Sequence, residues 1–163
     1  MIDHITFLTT GGTIDKVYFD AKSTYEIGES VVSQVLPDGL VTFSYTVQSL
    51  MQKDSLELTD DDRAAIVAAA KATPSRRIIV THGTDTMVDT GRALEAVTDK
   101  VIVLTGALTP GRFRETDAVF NLGLAVGAVQ SLPPGVYVAM SGQVFGAGDV
   151  RKNRDENRFE RVS

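Results

Sequence analysis

The chain has 163 residues, of which 43% are hydrophobic and 23% are charged, and its formal net charge is -5. This length suits a single domain with a sizeable hydrophobic core. The acidic balance argues against a nucleic-acid-binding surface and fits a soluble cytoplasmic protein with a small-molecule ligand. The sequence contains no cysteine, which excludes disulfides, thiol catalysis and thiolate metal sites.

The remaining metal-binding side chains are equally sparse. His4 and His82 are the only histidines, and a two-histidine metal site would need carboxylate ligands that the sequence does not identify, so we expect no metal site. The first residues lack the basic and apolar segments of a secretory signal. No uninterrupted apolar stretch is long enough to span a membrane, and we expect no membrane partner.

Apolar runs separated by turn residues predict alternating strands and helices. In chain order the pattern predicts a strand at 2–9, a polar loop or loose hairpin at 13–26, a helix at 29–36 ended by Pro37, a strand at 40–50, a helix at 60–72, a strand at 77–81, a helix at 86–97, a strand at 101–105, a helix at 116–130 and a strand at 135–140. Thr59 is the predicted N-cap of the helix at 60–72, because three aspartates follow it in the first turn.

This alternation predicts an α/β fold in which an open, doubly wound parallel sheet carries helices on both faces, a three-layer arrangement of the Rossmann or flavodoxin type. We find no internal repeat and no linker, so residues 1–163 are predicted to form one domain. The tail at 141–163 is rich in glycine and then in charge. It is interpreted either as a solvated terminal arm or as a flap that returns a side chain to a site.

Two glycine-threonine turns follow predicted buried strands. The first is Thr10-Gly11-Gly12-Thr13-Ile14 and the second is His82-Gly83-Thr84-Asp85-Thr86-Met87. Open α/β sheets bind ligands at the carboxyl ends of their strands. Two hydroxyls there, one beside a carboxylate, indicate a hydroxyl nucleophile. A nucleotide-binding loop is the weaker interpretation, because the sequence lacks a G-x-G-x-x-G series and a P-loop lysine-serine pair.

These two turns, with four further segments, resemble the bacterial-type L-asparaginases. The further segments are residues 54–58, 106–110, 120–122 and 149–153, and the ordered series runs from Ile5 to Arg158. The resemblance implies the fold of the N-terminal domain of that family and hydrolysis of L-asparagine to L-aspartate and ammonia through an acyl-enzyme. It also implies a homo-oligomer, a dimer or a tetramer, that uses no cofactor or metal.

The resemblance assigns the catalytic residues. Thr13 matches the nucleophile, and Tyr25 matches a tyrosine on a mobile lid at 13–26, with Tyr18 as the competing candidate. Thr84, Asp85 and Lys152 match a triad in which the lysine amine activates a threonine. Without the resemblance, Asp85 is equally well explained as a helix N-cap and Lys152 as a solvated charge.

The resemblance also assigns the substrate-binding residues. Ser55 matches the residue that binds the α-carboxylate, and Asp85 the residue that binds the α-amino group. Gly12, Gly83 and Thr84 complete the binding set through the two turns. Leu56 departs from the family pattern, in which relatives carry a glutamine or serine at that position. A turn residue is the alternative interpretation of Ser55.

Other polar residues near the turns are interpreted as structural. Glu115 and Asp117 are predicted to cap the helix at 116–130. His82 is predicted to pack, or to bond to backbone, near the second turn.

The main departure from the family is length. Typical members are about twice as long, and their C-terminal domain completes the site of a neighbouring subunit and supplies an acidic residue for the α-amino group. We expect a natural short form of the family; a chain cut at the domain boundary is the alternative. Mixed asparaginase and glutaminase activity, a silent amino-acid-binding domain and an amidotransferase subunit are the alternative functions.

Overall fold

A computed structural model describes residues 4–22 and 24–163. Within these ranges the strands are β1 (Ile5–Gly11), β2 (Lys16–Phe19), β3 (Thr24–Ile27), β4 (Tyr45–Lys53), β5 (Arg77–Thr81), β6 (Val101–Thr105), β7 (Gly135–Met140), β8 (Gln143–Gly146), β9 (Val150–Asn153) and β10 (Arg158–Arg161). The helices are α1 (Val32–Asp38), α2 (Asp60–Ala72), α3 (Met87–Leu94) and α4 (Ala118–Ser131).

Six strands form one sheet in the order β4-β1-β5-β6-β7-β8. The first five run parallel, and β8 pairs antiparallel with β7 at the edge. This confirms the predicted doubly wound α/β fold. Because β4 and β5 flank β1 on opposite sides, the strand order reverses between β1 and β5, and open α/β sheets bind ligands at such a switch point.

The sheet is buried on both faces. One face packs against α2, α3 and the β9–β10 hairpin through a cluster that includes Leu8, Ile66, Ile78, Val80, Met87, Leu94, Val150 and Phe159. The other face packs against α1 and α4 through a cluster that includes Phe7, Val32, Leu36, Ile79, Val103, Leu122 and Ala125. Successive residues of one strand therefore enter opposite clusters, which requires the continuous apolar runs seen in the sequence.

Three predicted strands, at 77–81, 101–105 and 135–140, and the helix at 60–72 have the predicted bounds. The predicted strand at 2–9 is β1, and residues 2 and 3 lie outside the described residues. The predicted helices at 86–97 and 116–130 correspond to α3 and α4 with shifted ends.

Two neighbouring elements, α1 and β4, differ from their predicted bounds. The helix predicted at 29–36 is Val32–Asp38, and Pro37 lies inside its last turn instead of ending it. Gly39 and Leu40, the latter at φ 51, turn the chain after the helix. The strand predicted at 40–50 begins only at Tyr45, because pairing of Tyr45 with Ile5 sets its start.

The segment at 13–26 forms the hairpin of β2 and β3, which is one of its two predicted forms; Ser23 lies outside the described residues. The segment at 141–163 is a folded part of the molecule, so the solvated arm is wrong. It supplies the edge strand β8 and then the antiparallel pair β9 and β10. Val150 and Phe159 anchor that pair in the core. The alternation of apolar and polar residues in this charged hairpin is too weak to predict its two strands from the sequence.

None of the helices within the described ranges is long and apolar enough to cross a membrane.

The N-terminus of α2 provides a test of helix capping. The Thr59 hydroxyl accepts from the Asp62 backbone N–H and the Asp62 carboxylate accepts from the Thr59 N–H, which is a capping box. We expect Thr59→Ala to lower the free energy of unfolding by about 1 kcal/mol in urea denaturation. Thr98→Ala, at an exposed threonine outside the helices, should leave it unchanged; equal losses in both variants would contradict the cap.

Candidate active site

The two glycine turns meet in backbone contact at the switch point of the sheet. Gly11 and Gly12 end β1 with φ angles of 103° and 85°, a region that disfavours side chains. A Cβ atom on Gly12 would overlap the backbone N of Gly83, and one on Gly11 would lie 2.6 Å from the backbone N of Lys53. Glycine is therefore required for the two strand ends to approach this closely.

Ser55 forms the third wall of this site. A Cβ atom on Gly83 would lie 2.6 Å from the Ser55 Cβ. The Ser55 hydroxyl accepts from the Thr86 backbone N–H at 3.3 Å, and the Thr86 hydroxyl donates to the Ser55 carbonyl at 2.7 Å. The Ser55 O–H proton remains available for donation. Ser55 also begins a short 3₁₀ turn after Asp54, so its turn role and a binding role are compatible.

Lys152 on β9 reaches the second turn across the sheet edge. Its ammonium donates to the Thr84 hydroxyl at 2.8 Å and to the Asp85 carboxylate at 2.9 Å. The Lys152 side chain is 14% exposed, so the interpretation of this residue as a solvated charge is wrong. The Arg154 guanidinium approaches the same Asp85 oxygen at 3.7 Å from a more exposed position.

Asp85 does not cap a helix. The N-cap residue of α3 is Thr86, and no side chain caps that helix end. The Asp85 carboxylate instead balances the charge of Lys152. The structure thus joins Lys152 to Thr84 and Asp85, which lie 68 and 67 positions before it in the chain.

Thr13 follows Gly12 and opens a 3₁₀ turn, Thr13–Asp15, at the beginning of the hairpin. Thr13 is half-buried, whereas Ile14 and Asp15 are buried. The contact between Gly12 and Gly83 places the segments that carry Thr13 and Thr84 side by side.

Tyr25 lies on the hairpin of β2 and β3, where its side chain makes ring contacts. Its ring packs against Tyr18, with centroids 5.1 Å apart, and against Phe113 at 5.9 Å. Among the described residues no hydrogen bond joins Tyr25 to Thr13. Tyr18 and Tyr25 are paired across β2 and β3 and are both exposed, so the structure does not separate the two candidates.

Asp15 is a buried carboxyl group that the sequence analysis missed. It accepts from the Val31 backbone N–H at 2.9 Å. Burial raises the pKa of Asp15 to about 6, while the Val31 bond and the nearby Arg112 charge partly oppose that rise. The Asp15 carbonyl also accepts from Gly28 and from Arg112. Asp15 therefore fixes the base of the hairpin beside Thr13. In the sequence, the one signal for a role of Asp15 is its position two residues after Thr13.

Asp117 binds a loop instead of capping its own helix, which corrects the predicted role. Its carboxylate accepts from the backbone N–H groups of Leu108 and Thr109 and from the Asn121 amide. It makes no capping bond to α4, and the Thr116 hydroxyl accepts from the N–H of Ala118 at that helix end. Glu115 is exposed. His82 bonds to the backbone carbonyl of Gly83, as predicted.

The arrangement suits proton transfer and electrostatic stabilisation by protein groups. A hydroxyl, an amine and a carboxylate are joined by hydrogen bonds at a strand end, with backbone N–H groups of the glycine turns nearby. Among the described residues, no group of three or more His, Asp or Glu side chains is placed to hold a metal ion.

The chain is similar to a known family of proteins. The family described as "Asparaginase, N-terminal" matches residues 4–160. A probable periplasmic L-asparaginase of Haemophilus influenzae is 31% identical over 93% of this chain and 46% of its own length. A glutaminase-asparaginase of Pseudomonas fluorescens biotype A is 29% identical over 91% of this chain and 45% of its own length.

A solved structure gives the same result for the fold. The thermostable L-asparaginase from Thermococcus kodakarensis superposes with a TM-score of 0.86 at 25% identity, over 98% of this chain and 51% of that chain. The chain spans about half the length of the curated relatives that it matches.

Asp15 gives a pH-dependent prediction. Its pKa rises from 3.8 to about 6 on folding, so between these pH values the folded state keeps a proton that the unfolded state has lost. Ionised Asp15 therefore destabilises the folded state at neutral pH. We expect the stability of Asp15→Asn relative to wild type to rise by up to about 3 kcal/mol between pH 4 and pH 7.

The measurement is urea unfolding of both proteins across this pH range. Asp99→Asn, at an exposed aspartate, is the control and should show no such trend. A stability difference for Asp15→Asn that stays constant with pH would contradict the raised pKa.

Proposed function

Because the chain belongs to the asparaginase family, we propose that it hydrolyses the side-chain amide of L-asparagine to L-aspartate and ammonia. The observation that carries this proposal is the hydrogen bond between Lys152 and Thr84, with Asp85 balancing the lysine charge. A binding domain gains nothing from an amine held against a hydroxyl beside a second turn that carries the half-buried Thr13.

The proposed reaction has two stages. The Thr13 hydroxyl attacks the amide carbonyl, its proton passes to the leaving nitrogen, and ammonia departs to leave an acyl-enzyme. Water then attacks the ester and releases L-aspartate and free Thr13. Backbone N–H groups at Gly12 and Thr84 are proposed to hold the oxyanion, donors that are worth about 3 kcal/mol each in known cases.

Lys152 and Thr84 are proposed to handle the protons. The lysine amine must be neutral for part of the cycle to accept one, and its hydrogen bond to the Thr84 hydroxyl gives a direct path. Asp85 would stabilise the ammonium form when the proton arrives. The path from Thr84 to the reacting atoms is direct or through one water.

Substrate binding is proposed to use the buried walls of the site. The free O–H of Ser55 would donate to the α-carboxylate, and the outer face of Asp85 would accept from the α-amino group. The backbones of Gly12 and Gly83 would lie under the substrate, since their close packing leaves no side chain there. Leu56 is exposed at the mouth and has no polar side-chain atom.

Two segments are proposed to close the site within one catalytic domain. The hairpin at 13–26 would act as a lid, with Tyr25 moving next to Thr13 when substrate binds. The segment at 141–163 would supply Lys152. Tyr25 is exposed, and its ring packs against the exposed rings of Tyr18 and Phe113, which supports a movable position.

Mixed asparaginase and glutaminase activity is the second candidate. The Pseudomonas fluorescens relative is named for both activities, and Leu56 removes a polar contact that could discriminate substrate length. A silent amino-acid-binding domain or an amidotransferase subunit is the third candidate.

Partners and location remain predictions. We propose a homo-oligomer, as the family resemblance implies, and light scattering would measure its size. We propose no nucleic-acid partner, because the chain is acidic, and we keep the expectation of no membrane partner. The cytoplasm is the proposed location, although the Haemophilus influenzae relative is named periplasmic.

Thr13→Ala tests the nucleophile. We expect ammonia release from L-asparagine to fall by at least about 10³-fold, since loss of a nucleophile removes the covalent step. Thr13→Ser keeps the hydroxyl and should retain activity, and circular dichroism should show all three proteins folded.

The same ammonia assay with L-glutamine as substrate separates asparaginase activity from mixed asparaginase and glutaminase activity. Unchanged turnover in Thr13→Ala would exclude this nucleophile, and bound asparagine without turnover in wild type would favour the third candidate.

Lys152→Met tests the proton path. We expect kcat for L-asparagine to fall by roughly 10²- to 10⁴-fold, the usual range for a positioned acid or base. Arg151→Met is the matched control, because it removes one positive charge from the same strand. Arg151 pairs with Glu160 across the β9–β10 pair instead of with the site, so its loss should leave kcat within about twofold. Equal losses in the two variants would show that only the hairpin fold matters.

A further inference from the structure

A chain of hydrogen bonds runs from α2 to the second glycine turn. The Arg63 Nε lies 3.2 Å from the Thr90 hydroxyl, which lies 2.7 Å from His82 Nε2. His82 Nδ1 lies 2.7 Å from the Gly83 carbonyl oxygen. We propose that Arg63 and Thr90 are positioning residues that fix one tautomer of His82 and thereby hold the turn that carries Thr84 and Asp85.

The donors and acceptors allow only one direction along this chain. A backbone carbonyl only accepts, so His82 Nδ1 carries the proton that Gly83 receives. In a neutral imidazole Nε2 is then an acceptor, and the Thr90 hydroxyl donates to it. A guanidinium only donates, so Arg63 gives its Nε–H to a lone pair of Thr90. Each polar atom is therefore used in its required role.

Burial makes this chain rigid. His82 and Thr90 are both 0% exposed, so water cannot replace a missing partner. Desolvation lowers the pKa of His82 to about 4; Arg63 acts in the same direction, while Asp89 on α3 and the Gly83 bond oppose it. His82 is consequently neutral near pH 7, which the assigned tautomer requires.

Arg63 is itself held by two further partners. Its Nη1 donates to the Leu58 carbonyl at 3.4 Å and pairs with Asp60 at 3.8 Å. The guanidinium therefore has a defined orientation, which sets the orientation of the Thr90 hydroxyl.

The Gly83 carbonyl is the point at which this chain affects the proposed chemistry. Gly83 contacts Gly12 and Ser55 and precedes Thr84, so a rotation of its peptide moves several proposed site groups together. Displacements of about 1 Å in such sites reduce rates by about 10²-fold. The effect on catalysis rests on the proposed function, whereas the tautomer and the hydrogen bonds do not.

The test is ¹⁵N NMR of histidine-labelled protein, combined with the ammonia assay. The sequence has two histidines, and His4→Gln assigns the remaining imidazole to His82. We expect a protonated Nδ1 and a hydrogen-bonded, unprotonated Nε2 in wild type at pH 7. Thr90→Val keeps the side-chain volume but removes the donor. It should move the Nε2 resonance toward that of a free lone pair and lower kcat/KM for L-asparagine about 10- to 100-fold.

Matched variants separate positioning from general destabilisation. Thr90→Ser restores the hydroxyl and should restore both the spectrum and the rate. Arg63→Met should give a smaller change of the same kind, and Asp60→Asn, which removes only the exposed ion pair of Arg63, should change neither readout.

Three results would overturn the proposal. They are a protonated Nε2 in wild type, an unchanged Nε2 resonance in Thr90→Val, and wild-type kcat/KM in Thr90→Val. Absence of amide hydrolysis in folded wild type would instead refute the proposed function, and it would refute the catalytic part of this inference with it. The NMR result would still decide the hydrogen-bond chain.

Discussion

The close approach of two backbone turns at the strand-order reversal is the constraint on which the rest of the site depends. Gly12 and Gly83 touch through their backbones, and a side chain at Gly12 would separate the ends of β1 and β5, whereas one at Gly83 would overlap Ser55. Because β1 and β5 are paired in the sheet, that separation would also strain the central strands. The fold and the site therefore share one steric requirement, which glycine satisfies.

Around this contact two buried polar side chains are supported by backbone groups from another part of the chain. Ser55 is joined to Thr86, and Asp15 is joined to the N–H of Val31. Such long-range support lets buried polar groups stay in place without exposure to water. It also explains how loops can form a site of defined geometry, because these loops are anchored at strand ends and the sheet fixes the distances between those ends.

The sequence predicted most of the fold because its strongest signals are local. The strands at 77–81, 101–105 and 135–140 are short apolar runs bounded by turn residues, and the helix at 60–72 begins at a recognisable cap. The bounds of β4 were wrong because pairing with β1, which is a tertiary contact, sets them. The bounds of α1 were wrong because Pro37 is accommodated in its last turn and the chain turns only at Gly39 and Leu40.

The candidate site was predicted mainly by resemblance. Spacing alone could not bring Lys152 to Thr84, since their contact depends on a charged hairpin with weak alternation. The sequence analysis missed the raised pKa of Asp15 and the hydrogen bond between His82 and Thr90. Both depend on burial, which the sequence does not show. A side-chain role that depends on desolvation is recognised only in the folded structure, whereas a role at a strand end or a glycine turn is recognised from the sequence.

The β9–β10 hairpin has a consequence for how the protein responds to stress. It forms a two-stranded sheet of its own, outside the six-stranded sheet. Its contacts with the body include Val150 and Phe159 in the core, a bond from the Phe159 N–H to Ser141, and the polar contacts of Lys152 and Arg154 with the second turn. Segments with few such anchors open at lower free energy than central strands do. We therefore expect heat or mild denaturant to break the bonds of Lys152 to Thr84 and Asp85 while the central sheet is still intact. Amide hydrogen exchange would then be fast in this hairpin and slow in β5 and β6.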